Sequence, residues 1–115
     1  MITDTGFIAV ADAALAALGD ALDRALATSD ADVDWTLNDG ILEIECEDGS
    51  KLIVNRHVPN REIWVAAKSG GFHFRAVDGR WRDTRSGAEL AAALSGLLEA
   101  QAGVTLPPLD LAAGE

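Results

Sequence analysis

The stretch of sequence that decides the fold is residues 61–74, REIWVAAKSGGFHF. Its side chains alternate as in a β-strand, with Ile63 and Val65 on the apolar face. Trp64 falls on the opposite face together with Glu62, where contact with water is expected. A large aromatic side chain beside polar groups on a bare sheet is typical of a protein-binding surface. The alternative is that Trp64 lies flat on an arginine stem and only shields the sheet.

Further short strands are predicted on both sides of this one. Glycine-containing turns separate them, NDG at 38–40, DG at 48–49, KSGG at 68–71 and DG at 78–79. Pro59 ends one strand or places it at an edge. Before the stretch 61–74, strands are predicted at 32–37, 41–47 and 51–59. A last short strand begins at Trp81.

Two helices are predicted at the ends of the chain. Apolar residues recur at helical spacing over residues 6–27, and Thr3, Asp4 or Thr5 caps the start. The second helix follows a capping box of Ser86 and Glu89 and is stopped by Gly103. Its apolar stripe consists of Leu90, Leu94, Leu97 and Leu98.

The order helix, strands, helix predicts an α+β fold. Strands joined by short turns are antiparallel neighbours, and two helices with one apolar stripe each cover only one face of the sheet. We therefore expect a two-layer sandwich of five or six strands whose other face is exposed. Residues 1–106 are predicted to form a single domain, and residues 107–115 a C-terminal tail that is loose after Pro107-Pro108.

Charge is distributed unevenly along the chain. Residues 1–50 hold twelve Asp and Glu against Arg24 alone, whereas residues 51–115 hold seven acids against eight Lys and Arg. This acidity disfavours nucleic acid and anionic membranes as partners, and favours metal cations or a basic protein surface. The alternative is that the acidity only confers solubility. The expected location is the cytoplasm, because the first residues do not resemble a targeting signal and no apolar run is long enough to span a membrane.

No catalytic set is apparent in the sequence. It contains no nucleophile elbow, phosphate-binding loop or dinucleotide motif. His57 and His73 occupy polar positions of their strands without a third metal ligand nearby in the sequence. Cys46 has core parity and is expected to be a small buried side chain.

Residues 48–74, followed by residues 81–87, strongly resemble bacterial frataxin, the CyaY family. The resemblance rests on Asn55 with Pro59, Ile63-Trp64, SGG at 69–71 and DTRSG at 83–87. No single motif is diagnostic, but the set occurs in one order, and the layout extends the likeness over residues 4–103.

The resemblance implies an iron-binding regulator of iron–sulfur cluster assembly. Frataxins are similar two-layer sandwiches that bind Fe²⁺ and Fe³⁺ weakly on an acidic ridge and dock on the cysteine desulfurase and the scaffold protein. It implies iron without an organic cofactor, and a monomer with an iron-dependent oligomer as the alternative. The other functions considered are a ferroxidase or iron-storage oligomer and a metal-independent binding module that uses the exposed sheet face.

The resemblance also assigns site residues. Asn55, His57 and Trp64 are the partner-binding candidates, although His57 replaces a common glutamine. The ridge is thinned, because Gly19, Arg24 and Leu26 occupy places that are often acidic. The metal candidates are Asp12, Asp20, Asp23, Asp32 and Asp34, with Asp4 and Glu47 weaker. A solvated helix face is the alternative for the helix acids.

Overall fold

The structure is a computed structural model that describes residues 3–114. Two helices flank six strands in the chain. The elements are α1 (Asp4–Ala27), β1 (Asp34–Asn38), β2 (Ile41–Glu45), β3 (Lys51–His57), β4 (Glu62–Ala67), β5 (Gly70–Val77), β6 (Arg80–Asp83) and α2 (Leu90–Ala102).

The six strands form one antiparallel sheet in the order β1-β2-β3-β4-β5-β6. Two of its hairpins turn through left-handed residue pairs, Asp39-Gly40 with φ of 50° and 78° and Asp78-Gly79 with φ of 52° and 78°. Aspartate and glycine tolerate this conformation, which matches the twist of the flanking strands. The turn predictions at both places are confirmed.

Both helices pack on the same face of the sheet, as predicted, and the other face is open. Phe7, Leu15 and Leu22 of α1 are buried against inward side chains of the sheet such as Ile44 and Ile63. Length and composition alone would let α1 cross a membrane, as they would for many core helices, but here its apolar stripe belongs to the core. The side chain of Thr3 caps α1 by accepting a hydrogen bond from the backbone nitrogen of Gly6 at 3.0 Å.

The predicted capping box of α2 is wrong. The helix begins at Leu90 and Glu89 occupies the cap position without a side-chain hydrogen bond. Glu89 instead pairs with Arg82 of β6 in an isolated bridge, and the hydroxyl of Ser86 accepts from the backbone of Ala88. The end of the helix is as predicted, because Gly103 adopts a left-handed conformation with φ of 68°.

The segment after Pro107-Pro108 is packed on the domain, so the expectation that it is loose is wrong. Leu111 and Ala113 are buried in the core, and the indole nitrogen of Trp81 donates to the carbonyl of Ala112 at 3.2 Å. The backbone nitrogen of Ala113 also donates to the carbonyl of Gly79. This segment therefore covers the end of β6, where the sheet would otherwise expose an edge.

Candidate functional site

Trp64 lies near the centre of the open face of the sheet, between β3 and β5. Trp64 lies opposite Asn55 of β3 on one side and opposite His73 of β5 on the other. His57 is two residues beyond Asn55 on β3 and therefore shares its face. The structure thus brings together the three predicted partner-binding residues Asn55, His57 and Trp64, and adds His73.

Two imidazole rings cover the faces of the Trp64 indole. The ring of His57 is stacked with a centroid distance of 3.6 Å and an interplanar angle of 10°. The ring of His73 is stacked on the other face of the indole, with a centroid distance of 4.3 Å and an interplanar angle of 6°. We call His57, Trp64 and His73 the Trp64 stack. The arginine stem expected as the alternative cover of Trp64 is replaced by two histidines.

Glu62 holds the edge of the stack and is the one charged side chain that is buried in residues 3–114, with 3% of its surface exposed. One carboxylate oxygen accepts from the indole nitrogen of Trp64 at 2.8 Å. The other oxygen accepts from Arg75 at 2.6 Å. Nδ1 of His73 lies 3.6 Å from the first oxygen. Because a buried carboxylate needs such partners, this arrangement explains how Glu62 is tolerated inside the sheet face.

The pKa of Glu62 reflects two opposing effects. Burial raises the pKa, but the hydrogen bonds from Trp64 and Arg75 outweigh it and hold the pKa below its ordinary value of 4.5. Glu62 therefore remains an anion at neutral pH. Its negative charge therefore orients the side chains that donate hydrogen bonds to it, Trp64 and Arg75.

The predicted metal ligand Asp12 is part of a long-range ion pair. Its carboxylate accepts a hydrogen bond from Arg56 of β3, whose guanidinium also contacts Asp39 at 3.3 Å. The Arg56 side chain is only 18% exposed and lies over Gly40. Asp12 therefore ties α1 to the sheet and has one carboxylate oxygen committed to a cation of the protein itself.

A second helix acid is held by the first strand. The indole nitrogen of Trp35 donates to a carboxylate oxygen of Asp23 at 2.9 Å. The same indole lies over Gly19, where an added Cβ would come within 2.7 Å of the ring. The glycine that thins the acidic ridge is therefore required by the packing of Trp35 on α1.

The remaining metal candidates lie on the surface. Asp20, Asp32, Asp34 and Glu47 are exposed, and Asp4 pairs with Arg61 at 2.8 Å. Among residues 3–114, no group of three or more His, Cys, Asp or Glu side chains is arranged to hold a metal ion. We call Asp12, Asp20, Asp23, Asp32 and Asp34 the acidic surface; it offers separate carboxylates rather than a cage.

Sequence reasoning missed three residues of these sites. Glu62, Arg75 and Arg56 were not singled out, although Glu62 contacts Trp64, Arg75 holds Glu62 and Arg56 contacts Asp12. Glu62 carried a signal, because it precedes Trp64 by two residues and must share its face. Arg56 carried none, since its partner Asp12 is 44 residues away.

Comparison with known proteins decides the family. A model of the Frataxin-like domain matches residues 1–104. The chain belongs to the frataxin-like family. The iron-sulfur cluster assembly protein CyaY of Cupriavidus metallidurans is 50% identical over 105 residues, which is 91% of this chain and 95% of that protein. CyaY of Burkholderia mallei is 49% identical over the same share of this frataxin and 96% of its own length.

Solved structures support the same assignment. The frataxin of Psychromonas ingrahamii, of the CyaY family, superimposes with a TM-score of 0.82 at 32% identity, covering 91% of this chain and 96% of its own. A trimeric frataxin from Saccharomyces cerevisiae, complexed with ferrous iron, has a TM-score of 0.70 at 30% identity and covers 79% and 83%. The predicted frataxin resemblance and the two-layer fold are both confirmed.

Proposed function

We propose that this frataxin acts in iron–sulfur cluster assembly as an iron-binding regulator that docks on the cysteine desulfurase and scaffold complex. The single observation that carries the proposal is the Trp64 stack, a preformed aromatic surface on the open sheet face. Its support from comparison is the name of the CyaY relatives, iron-sulfur cluster assembly protein. A cytoplasmic location belongs to the proposal, and the single cysteine, a buried free thiol, is compatible with a reducing compartment.

The docking part of the proposal rests on preorganisation. Trp64 is held by Glu62 and by two stacked rings, so little side-chain freedom is lost when a partner covers it. Asn55 lies beside it with an amide that can both donate and accept hydrogen bonds. A rigid aromatic side chain next to an adaptable polar one is the usual composition of an interface hot spot.

The iron part of the proposal rests on the acidic surface. Ferrous and ferric ions accept carboxylate oxygens as ligands, and the N-terminal half of the chain concentrates acidic side chains. Because no three ligands converge within residues 3–114, we expect weak and exchangeable sites that Mn²⁺ or Ca²⁺ also occupy. The yeast frataxin complexed with ferrous iron is the relative that supports this expectation.

An anaerobic ferrous titration followed by amide NMR tests the iron part. Paramagnetic broadening is expected to centre on Asp20, Asp32 and Asp34, whose carboxylates are exposed. Broadening at Asp12 and Asp23 is expected to be weaker because Arg56 and Trp35 each occupy one of their carboxylate oxygens. The triple variant Asp20→Asn, Asp32→Asn and Asp34→Asn should lose the response. An unchanged spectrum of the wild-type protein would remove iron binding from the proposal.

Binding to the desulfurase and scaffold complex tests the docking part. Trp64→Ala should weaken binding by about 30-fold or more, which is the size expected for a central hot spot. Leu37→Ala is the control, because Leu37 is an exposed apolar side chain that lies on the edge strand β1. Equal affinities of Trp64→Ala and wild type would reject the docking surface.

A further inference from the structure

Both faces of the Trp64 indole are already occupied in the isolated chain. His57 and His73 stack on it at 3.6 and 4.3 Å, and their ring planes deviate from the indole plane by 10° and 6°. An arriving group therefore finds the edge of the stack rather than an open π face. This arrangement excludes a partner cation seated on the indole and favours contacts with the ring edge and the imidazole nitrogens.

Stacking alone does not fix a ring within its own plane. Nδ1 of His57 is buried and has no hydrogen-bond partner in residues 3–114, so no hydrogen bond at that atom fixes the first imidazole. The indole nitrogen, by contrast, donates to Glu62, whose second oxygen is held by Arg75. The carboxylate is thus the point at which the stack is tied to the sheet.

Glu62 is an unexpected residue for a merely structural role at this position. A carboxylate that is 3% exposed loses its hydration, and within residues 3–114 it regains interactions from Trp64, Arg75 and His73. The indole nitrogen would otherwise be free to turn toward a partner. Because the indole N–H donates its hydrogen bond to Glu62 inside the protein, the orientation of the ring is set and the same edge always faces outward.

We propose that Glu62 is a positioning residue that fixes the indole of Trp64 for partner docking, with Arg75 holding the carboxylate in place. This inference rests on the proposed function only for its docking role. The orientation of the ring is a property of the isolated chain and is tested separately from binding.

The first readout is the indole N–H resonance of Trp64. Glu62→Ala should shift this resonance upfield and speed its exchange with water, because the charged acceptor is lost. Glu62→Gln should largely retain it, since the amide oxygen can still accept the hydrogen bond. The indole resonances of Trp35 and Trp81 are internal controls, because they donate to Asp23 and to the carbonyl of Ala112. An unshifted Trp64 resonance in a folded Glu62→Ala protein would overturn the inference.

The second readout is affinity for the desulfurase and scaffold complex. Glu62→Ala should weaken binding about tenfold, the order expected for one charge-assisted hydrogen bond, and Glu62→Gln should restore most of it. Glu45→Ala removes an exposed acid from β2 of the same face and serves as the matched control. Melting temperatures of all variants show that the proteins are folded.

The outcomes separate the two claims. A shifted indole resonance with unchanged affinity, in a protein whose Trp64→Ala variant binds poorly, would overturn the role of Glu62 in docking. Unchanged affinity in Trp64→Ala itself would reject the docking surface of the proposed function. The indole resonance would still decide whether Glu62 positions the ring.

Discussion

The Trp64 stack and the acidic surface are built in opposite ways. At the edge of the stack, Glu62 contacts Trp64, Arg75 and His73, so these groups hold one another before any partner arrives. In the acidic surface, two carboxylates are tied to Arg56 and Trp35, and the other three are exposed. The difference teaches that the proposed docking surface rests on a few groups fixed in advance, whereas the proposed iron-binding surface rests on charge alone.

The largest expected effect comes from restoring a missing acid to the ridge. Gly19→Asp adds a carboxylate to α1, but its Cβ would lie 2.7 Å from the ring of Trp35. We expect the free energy of unfolding, measured in urea, to fall by about 3 kcal/mol because the buried contact is overpacked. Gly96→Ala in α2 is the control, since no atom lies within 4 Å of the added Cβ. A Gly19→Asp protein as stable as wild type would show that Trp35 moves aside freely.

The next effect separates structure from metal binding at Asp12. Arg56→Ala removes the half-buried guanidinium that holds Asp12 and Asp39, and should cost about 2 kcal/mol of stability. The same change should increase iron-induced broadening at Asp12 in the NMR titration. Lys51→Ala breaks the exposed pair with Glu43 and should change stability by about 0.5 kcal/mol or less. Equal losses in both variants would contradict the special role of Arg56.

A smaller effect is expected in the pH dependence of the stack. The pKa of Glu62 is lowered in the folded protein, so its stabilising effect is present above its ordinary pKa of 4.5 and is lost as pH falls through the folded value. The free energy of unfolding of the wild-type protein should exceed that of Glu62→Gln by about 1 kcal/mol at pH 7. The difference should shrink as pH drops below 4.5. If the difference in free energy of unfolding between the two proteins stayed constant down to about pH 3, the lowered pKa of Glu62 would be contradicted.

The smallest effect concerns repulsion within the acidic surface. Salt or Mg²⁺ should raise the melting temperature slightly. The gain in the free energy of unfolding should be less than about 1 kcal/mol, because exposed charges are readily screened. The increase should shrink in the variant Asp20→Asn with Asp34→Asn, and persist in Glu99→Gln on α2. Identical melting curves with and without the cation would show that these acids do not repel one another measurably.

Local chemistry explains why most of the fold was predictable from the sequence. The pairs Asp39-Gly40 and Asp78-Gly79 form left-handed turns for reasons internal to a few residues, and Gly103 ends α2 in the same way. The alternation of apolar and polar side chains is enough to predict that Trp64 lies on the open face. Because two helical stripes can cover only one face of a sheet, the layer arrangement followed from the pattern.

Contacts between distant residues explain what was not predictable. Glu89 forms a bridge with Arg82 instead of capping α2, and no rule about local sequence anticipates that choice. The stack joins His57, Trp64 and His73 from three strands, and nothing in the sequence around either histidine indicates that both contact the same indole. The burial of Leu111 likewise depends on its meeting the distant core, which a short apolar segment after two prolines does not indicate.

The strand order has a consequence for synthesis on the ribosome. Because the strands lie in the sheet in the order in which they are made, each hairpin can close as soon as its second strand emerges. The apolar helix α1 is made first, and it packs on β1, β2 and β3. At about 5–20 residues per second, the thirty residues that follow Ala27, up to His57, take roughly 2–6 s to emerge. During those seconds the nascent chain displays an uncovered apolar helix, so α1 stays in contact with water until its three partner strands have been made.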